Sequence, residues 1–235
     1  LSDILLIIPA YNEEENIEKV IEEIKKYNLD YVIINDGSSD NTKKICEEKK
    51  YNIINLAVNL GLAGAFQTGV IYAHNKGYSY VVQFDGDGQH KAEYVESMRK
   101  KMDEGFDIVI ASRFINSKKP FTMRMLGSTL ISFAIKLTTA SSIKDPTSGM
   151  RMYNKKLIEE LAFNINYAPE PDTVSYLIKQ GAKVAEVPCT MEERQGGISY
   201  LTPFNAISYM LRILSSILFI QNFRKRNKKY FKVVE

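Results

Sequence analysis

Tyr80-Val81-Val82-Gln83-Phe84-Asp85-Gly86-Asp87-Gly88-Gln89-His90 is a short apolar run that ends abruptly in acids and glycines. An apolar run of this length, closed by glycine, predicts a strand buried on both faces. The pattern repeats along the first half of the chain. Ile4–Ile8 leads into Pro9-Ala10-Tyr11-Asn12-Glu13, and Tyr31–Ile34 into Asn35-Asp36-Gly37-Ser38-Ser39-Asp40. Ile53–Leu56 leads to Asn59-Leu60-Gly61-Leu62-Ala63-Gly64, and Asp107–Ala111 into Ser112-Arg113. Between these strands the spacing predicts helices over Glu13–Lys26, Asp40–Lys49, Ala63–Asn75 and Lys91–Asp103. Ile17, Val20, Ile21 and Ile24 share one helical face. Strands separated by helices need crossover connections, so the expected fold is α/β: a mainly parallel, Rossmann-like sheet flanked by helices. Ligands gather at the carboxyl ends of such strands, and here the acids, glycines and hydroxyls all collect there.

The second half is less regular. It predicts a helix over Thr122–Thr139, a strand over Gly149–Tyr153, helices over Asn154–Phe163 and Thr173–Gln180, and a last strand over Lys183–Pro188. An amphipathic helix from about Pro203 to Phe223 and a basic tail follow. The expected division is one domain over residues 1–201 and a membrane-surface extension over 202–235.

Charge placement narrows the function classes. The net charge is +3, yet Arg224, Lys225, Arg226, Lys228, Lys229 and Lys232 put six cations at the C-terminus, leaving the body slightly acidic. That excludes a broad nucleic-acid surface and favours one local anionic partner. Cys46 and Cys189 form no metal-ligand spacing and no disulfide framework, as expected of reduced thiols in the cytosol. The opening strand carries no basic, cleavable leader, so no secretory signal is expected. Asn205, Arg212, Ser215, Ser216 and Gln221 interrupt the apolar stretch Phe204–Phe223. It suits lying on a membrane surface better than spanning the ~20 apolar residues of a bilayer.

The exit at Asp85-Gly86-Asp87-Gly88 carries the chemistry. On an extended segment residues i and i+2 point the same way, so Asp85 and Asp87 can aim two carboxylates at one cation. Hard oxygen donors suit Mg²⁺ or Mn²⁺. Such a cation bridges diphosphate oxygens and offsets the charge that grows as a diphosphate leaves. The competing reading is a solvated Asp-Gly turn. Asp36, at the end of another buried strand, can accept hydrogen bonds from a ribose or base, while Asp40 fits a helix cap. Gly61 and Gly64 admit either a phosphate or close helix packing. His90 suits either a diphosphate contact or a structural role at a helix start.

Taken together, Ile8-Pro9-Ala10-Tyr11-Asn12-Glu13-Glu14, Asn35-Asp36-Gly37-Ser38-Ser39-Asp40 and Asp85-Gly86-Asp87-Gly88-Gln89-His90 resemble the inverting family-two glycosyltransferases of GT-A fold. Asp145-Pro146-Thr147-Ser148-Gly149-Met150-Arg151, Glu186-Val187-Pro188 and Arg194-Gln195-Gly196-Gly197-Ile198-Ser199 resemble the polyprenol-phosphate group, similar to dolichol-phosphate mannosyltransferases. The resemblance implies that Pro9, Tyr11, Glu13 and Asp36, with Gly61 and Asp85, hold the nucleotide. It implies Asp85, Asp87 and Gln89 around the metal. Arg113, Arg124 and Arg194 would meet phosphates of donor or acceptor, and Ser199 would join the acceptor loop. Asp87, Arg113 and Arg194 then form the expected catalytic set. The chain departs from the family pattern at Leu62, Met150 and Tyr200. At Tyr200 relatives often carry Lys, so one phosphate-binding cation is missing.

The implied activity is transfer of a hexose-type sugar from a UDP- or GDP-sugar to a polyprenyl phosphate, with inversion, at the cytoplasmic face of the membrane. The helix and basic tail, with the loop Lys118-Lys119-Pro120-Phe121, would dock on an anionic leaflet, and a small integral membrane protein is a possible partner. Transfer to a hydroxyl of a cell-surface glycan is the alternative. That reaction needs a general base, for which Asp172 is the candidate; Asp172 equally suits a helix cap. A nucleotidyltransferase is disfavoured because no Gly-rich cationic loop follows the first strand. A non-catalytic nucleotide-sugar-binding module would not need the aspartates and arginines together.

Overall fold

The computed structural model describes residues 3–164, 167–191 and 203–223. Seven strands form one sheet in the order β3-β2-β1-β4-β6-β5-β7. They are β1 (Ile4–Ala10), β2 (Asp30–Asn35), β3 (Ile53–Asn55), β4 (Tyr80–Gln83), β5 (Ile108–Ser112), β6 (Arg151–Asn154) and β7 (Val184–Pro188). All pairings are parallel except those of β6, which runs antiparallel to both β4 and β5. The α/β expectation with a mainly parallel sheet therefore holds, and the reversed strand is what pattern alone did not reveal.

The sheet is covered on both sides because its central strands are apolar on both faces. In β1, Leu5 and Ile7 enter one core with α3 (Gly61–Lys76), α5 (Met123–Thr139), α6 (Lys155–Phe163) and α7 (Pro171–Lys179). Leu6 and Ile8 enter the other core with α1 (Ile17–Lys25), α2 (Thr42–Glu48) and α4 (Tyr94–Asp103). Alternating side chains thus serve two layers, which is why the run shows no polar alternation. Ile17, Val20, Ile21 and Ile24 are the buried face of α1. That helix starts at Ile17 rather than Glu13, because residues 14–16 are held in a turn.

α8 (Pro203–Leu218) runs into a 3-10 turn (Ile220–Phe223). Its expected single apolar face is divided. Ile213 and Ile217 are buried in the same core as α5 and α7, whereas Ile207 and Leu211 are exposed. Arg212, one of the residues that interrupt the apolar stretch, donates from Nη2 to both carboxylate oxygens of Glu170, at 2.8 and 3.0 Å. Burial raises the Glu170 pKa above its ordinary value, and Arg212 only partly offsets that. At Gly127 α5 comes so close to α8 that a Cβ would overlap Met210. Among the described residues, no helix is long and apolar enough to cross a membrane.

Candidate active site

The carboxyl ends of β1, β2, β4 and β5 lie along one edge, and the reversed β6 begins there. Neighbouring exits are stitched together by hydrogen bonds. Asn12, with φ of 56°, donates its N–H to Ser38 Oγ at 3.0 Å and accepts the Ser39 N–H at 2.9 Å. Glu13 N–H meets Thr42 Oγ1 at 2.9 Å, and Asp40 Oδ1 accepts both the N–H and the hydroxyl of Thr42. Asp40 therefore serves the start of α2, as expected. The loops after β1 and β2 form one platform, which carries the expected nucleotide residues Pro9, Tyr11, Glu13 and Asp36.

Asp36 is buried, 4% exposed, and its Oδ1 accepts the Leu60 N–H at 2.7 Å. Gly37 lies against that same loop: with φ of 71°, a Cβ would sit 2.9 Å from Asn59 N. Asp36 thus braces the approach to α3. Gly61, also at φ 71°, has open space around its missing Cβ, so its role here is the turn itself. Glu13 Oε2 accepts from Asn16 Nδ2 at 2.9 Å.

At the β4 exit, the strand ends at Gln83 and the chain turns at Gly86 and Asp87. The alternation expected of an extended segment therefore does not extend to Asp87, and a turn sets the two carboxylates instead. Asp87 Oδ1 accepts the Gln89 N–H at 3.1 Å. A Cβ on Gly86 would come within 3.1 Å of Pro9 O, so the turn rests on the β1 exit. Asp85 is confined from several sides. His90 Nδ1 accepts the Asp85 N–H at 3.0 Å, which leaves the imidazole proton on Nε2, 3.6 Å from Asp85 Oδ2. Gln83 Nε2 stands 3.5 Å from Asp85 Oδ1. A Cβ on Gly149, two residues before β6, would overlap Oδ2. His90 is itself buried and packs edge-on against Phe84. It takes the structural role, and its place five residues after Asp85 was the signal for it.

These donors fit a hard divalent cation: two carboxylates and an amide oxygen at one turn, with small residues beside them. Among the described residues no three His, Cys, Asp or Glu side chains converge on a metal site. A cation held by Asp85 and Asp87 would thus take its remaining oxygens from Gln89, diphosphate and water.

Arg113 and Asp145 form the other centre. Asp145 is fully buried and accepts from Arg113 Nε at 2.7 Å, Nη2 at 2.8 Å and the backbone N–H at 3.1 Å. Burial acts to lower the Arg113 pKa, and the Asp145 carboxylate more than reverses it. Glu186 on β7 accepts the N–H groups of Lys144 and Asp145 at 2.8 Å each, so the Glu186-Val187-Pro188 motif holds this loop in place. Arg151, 2% exposed, donates to Pro146 O and Pro169 O and ties the loop to the start of α7. Arg124 stands exposed in the first turn of α5, whose cap Thr122 accepts the Met125 N–H. Asp172 is not the cap of α7. It lies inside the first turn, and its Oδ2 accepts from Ser216 Oγ at 2.7 Å. Arg194, Ser199 and the basic tail lie outside the described residues.

A cavity of about 870 Å³ runs along α1 past Gly88 and His90. Six glutamates and three lysines line it, and this net acidic wall repels a diphosphate. A diphosphate suits the loop edge better than this groove.

Comparison with known proteins places the chain in a family. Over 225 residues the chain is 26% identical to polyprenol monophosphomannose synthase of Mycolicibacterium smegmatis, covering 89% of this chain and 84% of that protein. Over 212 residues it is 32% identical to UDP-N-acetylglucosamine–dolichyl-phosphate N-acetylglucosaminyltransferase of Methanococcus voltae, covering 79% and 84%. The crystal structure of glucosyl-3-phosphoglycerate synthase from Mycobacterium tuberculosis, in complex with Mn²⁺, UDP-glucose and phosphoglyceric acid, superposes with a TM-score of 0.67. That likeness covers 94% of this chain and 80% of that one at 17% identity, and shows a shared GT-A fold. The pattern that defines Glycosyl transferase family 2 matches residues 5–162, and the chain belongs to that family.

Proposed function

We propose that this glycosyltransferase moves a hexose-type sugar from a UDP- or GDP-sugar to a polyprenyl phosphate, with inversion, at the cytoplasmic face of a membrane. One observation carries the acceptor half: the polar loop edge meets an exposed apolar helix face. Along α5, Met123, Leu126, Leu130, Phe133 and Leu137 are all exposed, spaced as one stripe, with Phe121 fully exposed just before them. Ile207, Leu211, Phe219, Ile220 and Phe223 add exposed apolar surface on the packed α8 segment. At its N-terminal half α5 is tied to the site, where Ser128 Oγ lies 3.2 Å from Thr147 Oγ1. A lipid tail along the stripe would bring its phosphate to the loop edge near Arg124. An exposed apolar patch of this kind marks an interaction surface, and an interfacial helix lays such a stripe into the headgroup layer. The boundary at residue 202 is then one of task, with α8 sharing the main core.

The reaction needs little from the protein beyond positioning and charge. A phosphate oxygen of the acceptor attacks the anomeric carbon as the bond from that carbon to the diphosphate breaks, and the nucleoside diphosphate leaves with the electron pair. A divalent cation, Mg²⁺ or Mn²⁺, supplies Lewis-acid stabilisation of that leaving group when bound. Asp85, Asp87 and Gln89 would hold it, Asp36 and the Pro9–Glu13 loop would hold the nucleoside, and Arg113, Arg124 and Arg194 would face phosphates. A phosphate acceptor is already anionic and needs no general base. That agrees with Asp172, whose carboxylate is engaged by Ser216.

Calorimetry over a panel of nucleotide sugars tests this reading. One of them binds with Mn²⁺ and loses binding in EDTA, and the complex then binds a short prenyl phosphate but not the free alcohol. Binding that is indifferent to EDTA, or to the acceptor's phosphate, contradicts it.

A further inference from the structure

Lys119 belongs by sequence to a surface loop, yet its side chain turns inward. Its Nζ donates to Ser128 Oγ at 3.0 Å and to Ser132 Oγ at 3.4 Å. It lies 5.5 Å from the centre of the Phe114 ring, on which the Arg113 guanidinium also sits at 5.1 Å. Among the described residues no carboxylate is paired with Lys119; Asp145, the carboxylate that acts on it most strongly, is taken by Arg113. Burial lowers the Lys119 pKa, which shows how little solvent compensates it.

The surroundings suit an anion. A cavity of about 320 Å³ opens between the β5 exit loop, α5 and the segment after α5. Phe114, Ser117, Lys119, Ser132, Ser142 and Lys144 are among its walls. Arg113, Lys119 and Lys144 face two carboxylates here, Asp145 and Glu186, and both of those are already committed. One positive charge is left over; Ser117 and Ser132 already donate to the carbonyls of Arg113 and Ser128, and the Ser142 hydroxyl also lines the cavity. Hydroxyls and a lysine are what a phosphate monoester needs: a point charge and short hydrogen bonds.

We infer that Lys119 and its cavity bind the phosphomonoester of the acceptor. Arg113 cannot do this alone, since Asp145 occupies its Nε and Nη2. The link to the transfer site is direct: Lys119 to Ser128, Ser128 to Thr147, and Thr147 to Arg113 Nη2 at 3.3 Å. The lysine thus stands between the apolar stripe and the sheet edge. The inference rests on the proposed activity only in calling the ligand an acceptor; the same chemistry arises from a lipid phosphate or a water-soluble one.

The test is calorimetry on the full chain with nucleotide and Mn²⁺, using geranyl phosphate, glycerol 3-phosphate and geraniol as probes. Lys119→Gln keeps a donor for Ser128 and Ser132 but removes the charge, whereas Lys119→Arg keeps the charge. Lys119→Gln should weaken the phosphate probe by about tenfold to a hundredfold, as loss of a charge-assisted contact implies. Lys119→Arg should retain most of the affinity, and nucleotide affinity should not change in either. If only glycerol 3-phosphate binds and responds to Lys119, the inference stands and the lipid acceptor falls. If geranyl phosphate binds parent and Lys119→Gln equally, the lipid reading stands and the inference falls. Equal loss of nucleotide binding, or no binding of either phosphate by the parent chain, also overturns it.

Discussion

Asp85 and Asp87 share one exit but not one environment. Asp85 is confined by His90, Gln83 and the missing side chain of Gly149, while Asp87 sits at the turn with one oxygen on the Gln89 N–H. Asp87→Asn should therefore keep the fold, since that hydrogen bond can be accepted by an amide oxygen. Loss of a transition-state contact of about 4 kcal/mol predicts a drop of roughly a thousandfold in transfer rate. A melting scan beside the rate measurement checks both halves, and an unchanged rate contradicts a metal role. Asp145 behaves oppositely. Asp145→Asn leaves the Arg113 cation without its buried partner, and should cost about 3 kcal/mol of stability, read by urea unfolding. At this scale the sequence showed which side chains gather, because acids and glycines after an apolar run have few other uses. It did not show their partners. Nothing local says that Arg113 pairs with a carboxylate 32 residues away, or that Lys119 folds inward.

Among the elements, α3 and β1 fix the distance between the sheet and its cover. A Cβ on Gly69 would stand 2.3 Å from Ile7 Cγ2, and Ile7 is branched, fully buried and held in mid-strand. Gly69→Val should cost about 1–3 kcal/mol through overpacking. For a chain of this size that lowers the melting temperature by roughly 2–4 °C per kcal/mol. An unchanged melting temperature would mean that α3 can lift off β1 freely. The helices and parallel strands were legible because burial on two faces leaves unbroken apolar runs, and burial on one face leaves the spacing of Ile17, Val20, Ile21 and Ile24. Two features were not legible. Nothing in the Arg151–Asn154 pattern announces that β6 runs backwards between β4 and β5. The break of α8 into buried Ile213 and Ile217 and exposed Ile207 and Leu211 depends on where α5 and α7 lie, which the helix's own periodicity does not contain.

For the whole molecule, the layout is a polar, acidic loop platform at one sheet edge and an apolar flank beside it. Leu130→Glu with Phe133→Glu places two charges on the exposed stripe without entering the core, as both side chains are solvent-facing. The double variant should fold normally and lose most co-sedimentation with anionic vesicles; undiminished binding would show that the stripe is not the contact. The sequence points to the C-terminal helix, the basic tail and the Lys118-Lys119-Pro120-Phe121 loop for such a contact, and the tail lies outside the described residues. The α5 stripe escaped because an apolar helix position reads as core until the packing shows it uncovered. The account's central claim is that sugar passes to a polyprenyl phosphate. Its most direct measurement follows radiolabel from a nucleotide sugar, with Mn²⁺ and polyprenyl phosphate in anionic vesicles. The label should move into an organic-extractable, mild-acid-labile product, and EDTA should stop it. Label that enters only water-soluble glycan, in a reaction that Asp172→Asn abolishes, would contradict the account.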